Sequence, residues 1–311
     1  MRTKQVEGSR KLSEADTAVS EVRHVTVRGR QLAVQIRGAG PTVILEMGGG
    51  FGGIGPFWCV DGELAKFCRV VTYDRAGLGL SERIKTAPTM CERAQDLAAL
   101  LDAVGVREPA LFVGWSLGGL ILQNFSARYP ERVAGLLFVD PTPPDLLKKA
   151  GPFGRWAFST LFGFANRFQL LLAQVGVFKS QRGRNMLHKL ARAQCGPHMP
   201  AERLELFVDA MAQPAFHRAM ILEANKLPYA CLETLQIVTE RGLPRVPTIL
   251  LAATHRAGAA AKLDSTMYDR LREFVPTAEF RELPEIGHLV PVEAPDSVIQ
   301  AVRDLLARMS Q

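Results

Sequence analysis

The sequence predicts an α/β fold: a mostly parallel sheet wrapped by helices, with a separate segment inserted late in the sheet. Three observations predict it. Short apolar runs alternate with stretches of helical periodicity along most of the chain. One of those runs, "ALFVGW", stops at a serine bracketed by glycines, Gly114-Trp115-Ser116-Leu117-Gly118. The alternation also breaks after Asp140, in a stretch of Pro, Gly and amphipathic helix, and resumes with "VPTILLAA".

Each element has its own signal. "VRHVTVRGRQLAVQIRG" contains two alternating runs joined by Arg28, Gly29 and Arg30, the pattern of an antiparallel hairpin. "TVILEM" reads as a third, more buried strand, "CRVVTYD" as a fourth, "ALFVGW" as a fifth and "VAGLLFVD" as a sixth. Helical spacing fills Glu92 to Val104 and Leu117 to Arg128 between them. After the break come a seventh strand in "VPTILLAA", a helix near Ser265 to Phe274, an eighth strand in "AEFREL" and a closing helix from Asp296. The division expected is a flexible N-terminus over 1–20, a core over 21–141 and 236–311, and a helical insertion over 142–235.

Length and composition bound the function. With 311 residues and 47% hydrophobic content, the chain is long enough for one large core. Its first twenty residues hold no apolar stretch of signal-peptide type, and no run of eighteen apolar residues follows, so a cytoplasmic protein is expected. Cys59, Cys68, Cys91, Cys195 and Cys231 form an odd, scattered set without a C-x-x-C pair, which argues against a disulfide framework or a zinc site. The net charge of +7 is local: Pro141 to Thr234 holds 12 Lys or Arg against 6 Asp or Glu. Nucleic acid is not expected as a partner, because the rest of the chain is close to balanced. The basic excess is compatible with an anionic membrane surface, although arginines on solvated helix faces account for it more simply.

Two motifs carry chemistry. Gly48, Gly50 and Gly53 spell G-x-G-x-x-G after a strand, with Asp74 at about the distance of a ribose-binding acid. The chain then continues "IGPFWCV", where Gly55 and Pro56 cannot open the helix that a dinucleotide site requires. Gly114, Ser116 and Gly118 read either as a glycine turn with a helix-capping serine or as a tight strand-to-helix elbow that presents Ser116 as a nucleophile. A nucleophilic serine needs a base. Of His24, His188, His198, His217, His255 and His288, only His288 follows the last strand, where a loop reaches back to the sheet end.

The runs "ILEMGGG", "VVTYDRAGLGLSE", "LFVGWSLGG", "LLFVDP", "VPTILLAA" and "EIGHLVPVEAP" together resemble successive landmarks of the α/β-hydrolase fold over residues 22 to 310, apart from the insertion. That resemblance implies eight strands, a cap after the sixth, and a Ser, acid, His triad with Ser116 and His288 in the matching positions. It also implies an oxyanion hole built from the backbone N–H groups of Gly49 and Leu117. Two departures stand out. Met47 occupies a place where many relatives carry histidine, and Glu46 beside it is an odd charge at a buried strand end, best explained by an ion pair with an arginine. The acid expected shortly after the seventh strand is missing, with Arg256 close to its place. Asp264 reads as a helix cap, so Asp140, at the end of the sixth strand, is the preferred acid.

The function this implies is a serine hydrolase cleaving a hydrophobic ester or lactone through an acyl-enzyme, with no metal or cofactor. Its partner would be a small apolar acyl substrate, roofed by the apolar faces of a helix pair in the cap. The alternative is a binding protein, or a catalyst of cyclisation or elimination, using the same pocket.

Overall fold

The computed structural model describes residues 21–54, 58–146, 148–255 and 272–310. Eight strands form one sheet in the order β1-β2-β4-β3-β5-β6-β7-β8. They are β1 Arg23–Val27, β2 Arg30–Arg37, β3 Thr42–Glu46, β4 Arg69–Tyr73, β5 Ala110–Trp115, β6 Val133–Val139, β7 Thr248–Ala253 and β8 Glu279–Leu283. β1 pairs with β2 and β2 with β4 in antiparallel register, and every other pairing is parallel. The first hairpin turns on Arg28 and Gly29, both at positive φ (48° and 80°), which matches the two-residue turn of a twisted antiparallel pair.

The central strands are apolar without interruption because both faces are covered. Val43, Leu45, Leu111, Val113, Ile249 and Leu251 point to one side, where they meet Val60 and Leu64 of α1 (Trp58–Leu64) and Val298 and Leu305 of the C-terminal helix Pro295–Met309. Ile44, Phe112, Phe138 and Leu250 point to the other side, onto Leu97 and Leu101 of α2 (Met90–Ala103) and Phe125 of α3 (Leu117–Arg128). This alternation is the period of two that a strand imposes.

Helix α2 begins two residues earlier than its periodicity suggests. Thr89 Oγ1 accepts from the Glu92 amide at 3.1 Å while the Glu92 carboxylate accepts from the Thr89 amide at 2.8 Å, a capping box that sets the start at Met90. Helix α1 was not expected, since its glycine-rich approach obscures the signal; residues 55–57 lie outside the described residues. The expected helix near Ser265 to Phe274 lies largely outside them too, as do the N-terminal residues 1–20, Arg256 and Asp264.

Between β6 and β7 the chain forms helices α4 Pro152–Gln174, α5 Gln181–Arg192, α6 Ala201–Ala212, α7 Pro214–Glu223 and α8 Leu227–Arg241. The insertion is therefore richer than a helix pair, and residue 235 falls inside the continuous helix α8. Asn124 of α3 donates to Thr234 of α8 at 3.3 Å, so α8 rests on the core while α4 to α7 lie beyond it. All five cysteines are free thiols, and burial pushes Cys195 and Cys231 up to about 12. Among the described residues no helix is long and apolar enough to cross a membrane.

Candidate active site

The parallel strands deliver their C-terminal ends to one edge of the sheet, and the loops there hold the residues singled out by the sequence. Ser116 follows β5 with φ 54° and ψ −118°, a backbone conformation that side-chain-bearing residues seldom adopt. The elbow is held at both ends, by the Ser116 amide donating to Val139 O at 3.1 Å and by Ser116 O accepting from the Thr142 amide at 2.9 Å. Its tightness explains the glycines. A Cβ on Gly114 would lie 2.9 Å from Gly119 Cα, and one on Gly118 would lie 2.2 Å from Glu46 O, so neither position admits a side chain.

His288 lies in the loop after β8, with Nε2 2.8 Å from Ser116 Oγ and Nδ1 2.5 Å from Asp140 Oδ2. Asp140 is buried at the end of β6 and also has positive φ (43°), its amide donating to Leu251 O at 2.8 Å. The histidine is clamped through its backbone: its amide donates to Gln194 O at 2.7 Å, and its carbonyl accepts from Trp115 Nε1 at 2.7 Å. The Trp115 ring packs against the imidazole, with centroids 5.5 Å apart. Gly49 and Leu117 line the same cavity as Ser116 and His288.

Four of the other histidines lie elsewhere. His24 Nε2 is 3.1 Å from Leu80 O, His188 faces Glu205, and His198 faces Glu285. His217 is buried against Phe178 and Phe216, and burial lowers its pKa. Asp74 holds the glycine-rich loop rather than a ribose: its carboxylate accepts from the amides of Ile54 at 3.1 Å and Leu80 at 2.7 Å.

A cavity of about 220 Å³ opens over Ser116. Its walls are mostly aromatic and aliphatic: Phe51 from the core, Phe158 and Phe162 from α4, Phe207 from α6, and Phe216 and Met220 from α7. Among the described residues, its polar side chains beyond Ser116 and His288 are those of Thr142 and Gln194, and none is charged.

Beneath the cavity lies a buried ionic network whose members, Glu46 apart, sequence reasoning missed. All five N–H groups of Arg75 are used: Nε and Nη2 donate to Glu223 at 2.8 and 3.0 Å, Nη1 donates to Glu46 at 2.6 Å and Met47 O at 2.7 Å, and Nη2 also donates to Gly48 O at 2.9 Å. Glu223, at the end of α7, accepts further from Arg93 at 3.0 Å and from the Gly50 amide at 3.0 Å. The Tyr73 hydroxyl donates to Glu46. Burial pushes the Glu46 carboxyl above its usual range, and Arg75 and Tyr73 offset part of that. Burial would raise Glu223 as well, but Arg75 and Arg93 together reverse the sign and hold it below the usual range. Because Arg75 grips the carbonyls of Met47 and Gly48, the network fixes the backbone that leads into Gly49. The one available signal was a carboxylate at the end of the apolar run "AMILE".

Residues 41–198 match the model of the α/β-hydrolase-fold family, half of the chain, and the chain belongs to that family. Along 94% of its length the protein is 24% identical to a cis-3-alkyl-4-alkyloxetan-2-one decarboxylase of Shewanella oneidensis, covering 90% of that relative. Over 113 residues it is 40% identical to a pimeloyl-[acyl-carrier protein] methyl ester esterase of Chromobacterium violaceum, and this match spans 36% of the chain and 41% of the relative. Among solved structures it is similar to a thermophilic esterase from Thermogutta terrifontis, with a TM-score of 0.69 and 22% identity over 94% of this chain and 100% of that one.

Proposed function

We propose that the protein is a serine hydrolase that opens small, neutral, apolar esters or lactones through an acyl-enzyme. The observation that carries this reading is the hydrogen-bonded row Ser116–His288–Asp140, with spacings of 2.8 and 2.5 Å, on the floor of a cavity whose lining among the described residues is aromatic and uncharged. In this mechanism Ser116 Oγ attacks the acyl carbon as His288 Nε2 takes its proton, and the same histidine then protonates the leaving alkoxide. Asp140 fixes the imidazole tautomer and stabilises the imidazolium. The backbone N–H groups of Gly49 and Leu117 receive the developing oxyanion; the Gly50 amide is committed to Glu223. Water, activated by His288 in turn, releases the acid.

The lining supports the substrate class. A neutral apolar acyl group is desolvated at little cost there, whereas an anionic one would lose hydration without a paired charge. Two relatives are named for acyl substrates of this bond type, one for a methyl ester and one for a dialkyl oxetanone, which is a four-membered lactone. Ser116→Ala tests the proposal: hydrolysis of short p-nitrophenyl esters should fall by about a million-fold, and covalent labelling by a fluorophosphonate should vanish. Retained turnover in that variant overturns it.

The full-length similarity to a decarboxylase favours one second reading, non-hydrolytic opening of a β-lactone. Product analysis separates the two. Hydrolysis yields a hydroxy acid carrying oxygen from labelled water, whereas decarboxylation yields an alkene and carbon dioxide.

A further inference from the structure

Helix α4 leaves an apolar face open to solvent. Phe153, Trp156, Leu161, Phe164, Phe168 and Leu171 are each between 54% and 77% exposed. At 100° per residue these positions share one sector of the 23-residue helix, and the stripe from Phe153 to Leu171 runs for about 27 Å. The opposite side is buried through Asn166 and Ala173, and Gly163 is buried at the stripe's edge beside Trp156. An apolar surface of this extent marks an interaction site.

Charge decides what covers it. From Leu146 to Ala201 the chain holds nine Lys or Arg residues and no Asp or Glu. Lys148 and Lys149 precede the stripe, Arg167 stands exposed at its edge, and Lys179 and Arg182 follow it. Among the described residues, Arg184 is the member of the nine drawn into ion pairs, with Glu205 and Asp209. A second copy seated face to face would bring together two α4 segments whose charges are all cationic from Leu146 to Ala201, so self-association is disfavoured. An anionic sheet of lipid headgroups over an apolar interior satisfies both features at once, taking the aromatic side chains below and the cations at phosphate level.

We propose that α4 lies flat on an anionic bilayer, with its Phe153–Leu171 stripe buried at the headgroup boundary. The preference for simply solvated arginines, reasonable from sequence alone, gives way because the exposed face of this helix is mostly aromatic and aliphatic. A groove of about 750 Å³ runs along the edge of the stripe at Phe164 and Arg167, with Lys226 and Tyr229 of the α8 region on its far side. Its wall residues Ser159 and Asn225 are chain neighbours of Phe158 and Ala224, which line the catalytic cavity. The docked face therefore borders the helices that roof the active site.

Flotation of the full chain with phosphatidylcholine vesicles, with and without about 30 mol% phosphatidylglycerol, tests this. Binding to the mixed vesicles is expected, weakened at least about tenfold on pure phosphatidylcholine and again at about 0.5 M salt. The variant W156S/F164S/F168S alters exposed side chains only. It should keep its helical circular dichroism and thermal midpoint while losing at least about tenfold in vesicle partitioning. K148E/K149E/R167E should lose the phosphatidylglycerol-dependent part. Absence of wild-type binding, or equal binding by the serine variant, overturns the proposal. So does a wild-type dimer in sedimentation that the serine variant converts to monomer, which assigns the face to a second copy, or retention on poly-glutamate without vesicle binding, which assigns it to an acidic chain.

Discussion

Asp140 and Glu223 are both buried carboxylates facing a cationic or proton-accepting side chain from a distant part of the chain, yet the surroundings of that partner differ. Arg75, opposite Glu223, has every N–H committed, to two carboxylates and two carbonyls. His288, opposite Asp140, keeps Nε2 turned to Ser116 and the cavity, and its side chain is 29% exposed. The first pair is saturated and can only hold backbone in place. The second has one open end, and an open end is what proton transfer needs. On the mechanism proposed above, the same ionic chemistry would serve as scaffold or as reactive group according to whether the partner keeps a nitrogen turned to the cavity.

The sharpest way to break this comparison is Asp140→Asn. Turnover should fall by about ten-thousand-fold, because the amide favours the wrong imidazole tautomer, while the urea midpoint stays nearly unchanged. A variant that unfolds instead places Asp140 with the scaffold. The converse is Glu223→Gln, which strips charge from a pair that has no open end. Stability should drop by up to about 3–5 kcal/mol in urea titration, since Arg75 and Arg93 lose a shared counter-charge in a buried site. Activity per folded molecule should change far less than in Asp140→Asn.

Acid sharpens the contrast within the network. Glu223 titrates below its usual range in the fold, so its contribution to stability is complete above the unfolded pKa, about 4.3, and is lost as pH falls through the folded value. The urea midpoint should therefore decline on acidification below about pH 4.3, and Glu223→Gln should flatten that decline. Glu46 has the opposite sign: its raised pKa favours the protonated form, a contribution present below about pH 4.3 and lost as pH rises through the folded value. Glu46→Gln should accordingly cost less than Glu223→Gln at neutral pH. The smallest effect is expected for Asp264→Asn, which the sequence reads as a cap position where asparagine serves about as well as aspartate: turnover and stability should both shift by less than about 0.5 kcal/mol.

These differences follow how the information is written in the chain. Strands β3 to β7 were legible because burial on both faces leaves near-continuous Val, Ile and Leu, and Ser116 because its turn demands glycine at 114 and 118. Glu46 could be flagged, since a charge ending a buried strand needs a partner, but the partner's second ligand, Glu223, lies 148 residues beyond Arg75, and no local pattern joins them. The apolar side of α4 was equally visible in its spacing. Periodicity reports that a helix has two faces; only packing reports which one the protein covers. The expected cap boundary at 235 lies within helix α8.

The left-handed backbone at Ser116 and at Asp140 also bears on which chemistries this scaffold can acquire by single substitutions. Positive φ penalises a β-branched side chain far more than an unbranched one, and asparagine and aspartate tolerate it best. Threonine, a competent nucleophile elsewhere, is thus closed to position 116, while cysteine and aspartate remain open; valine or isoleucine is closed to position 140, while asparagine is open. If Ser116 is the nucleophile proposed above, the elbow filters mutational paths, admitting thiol, hydroxyl and carboxylate there and rejecting side chains that alter branching.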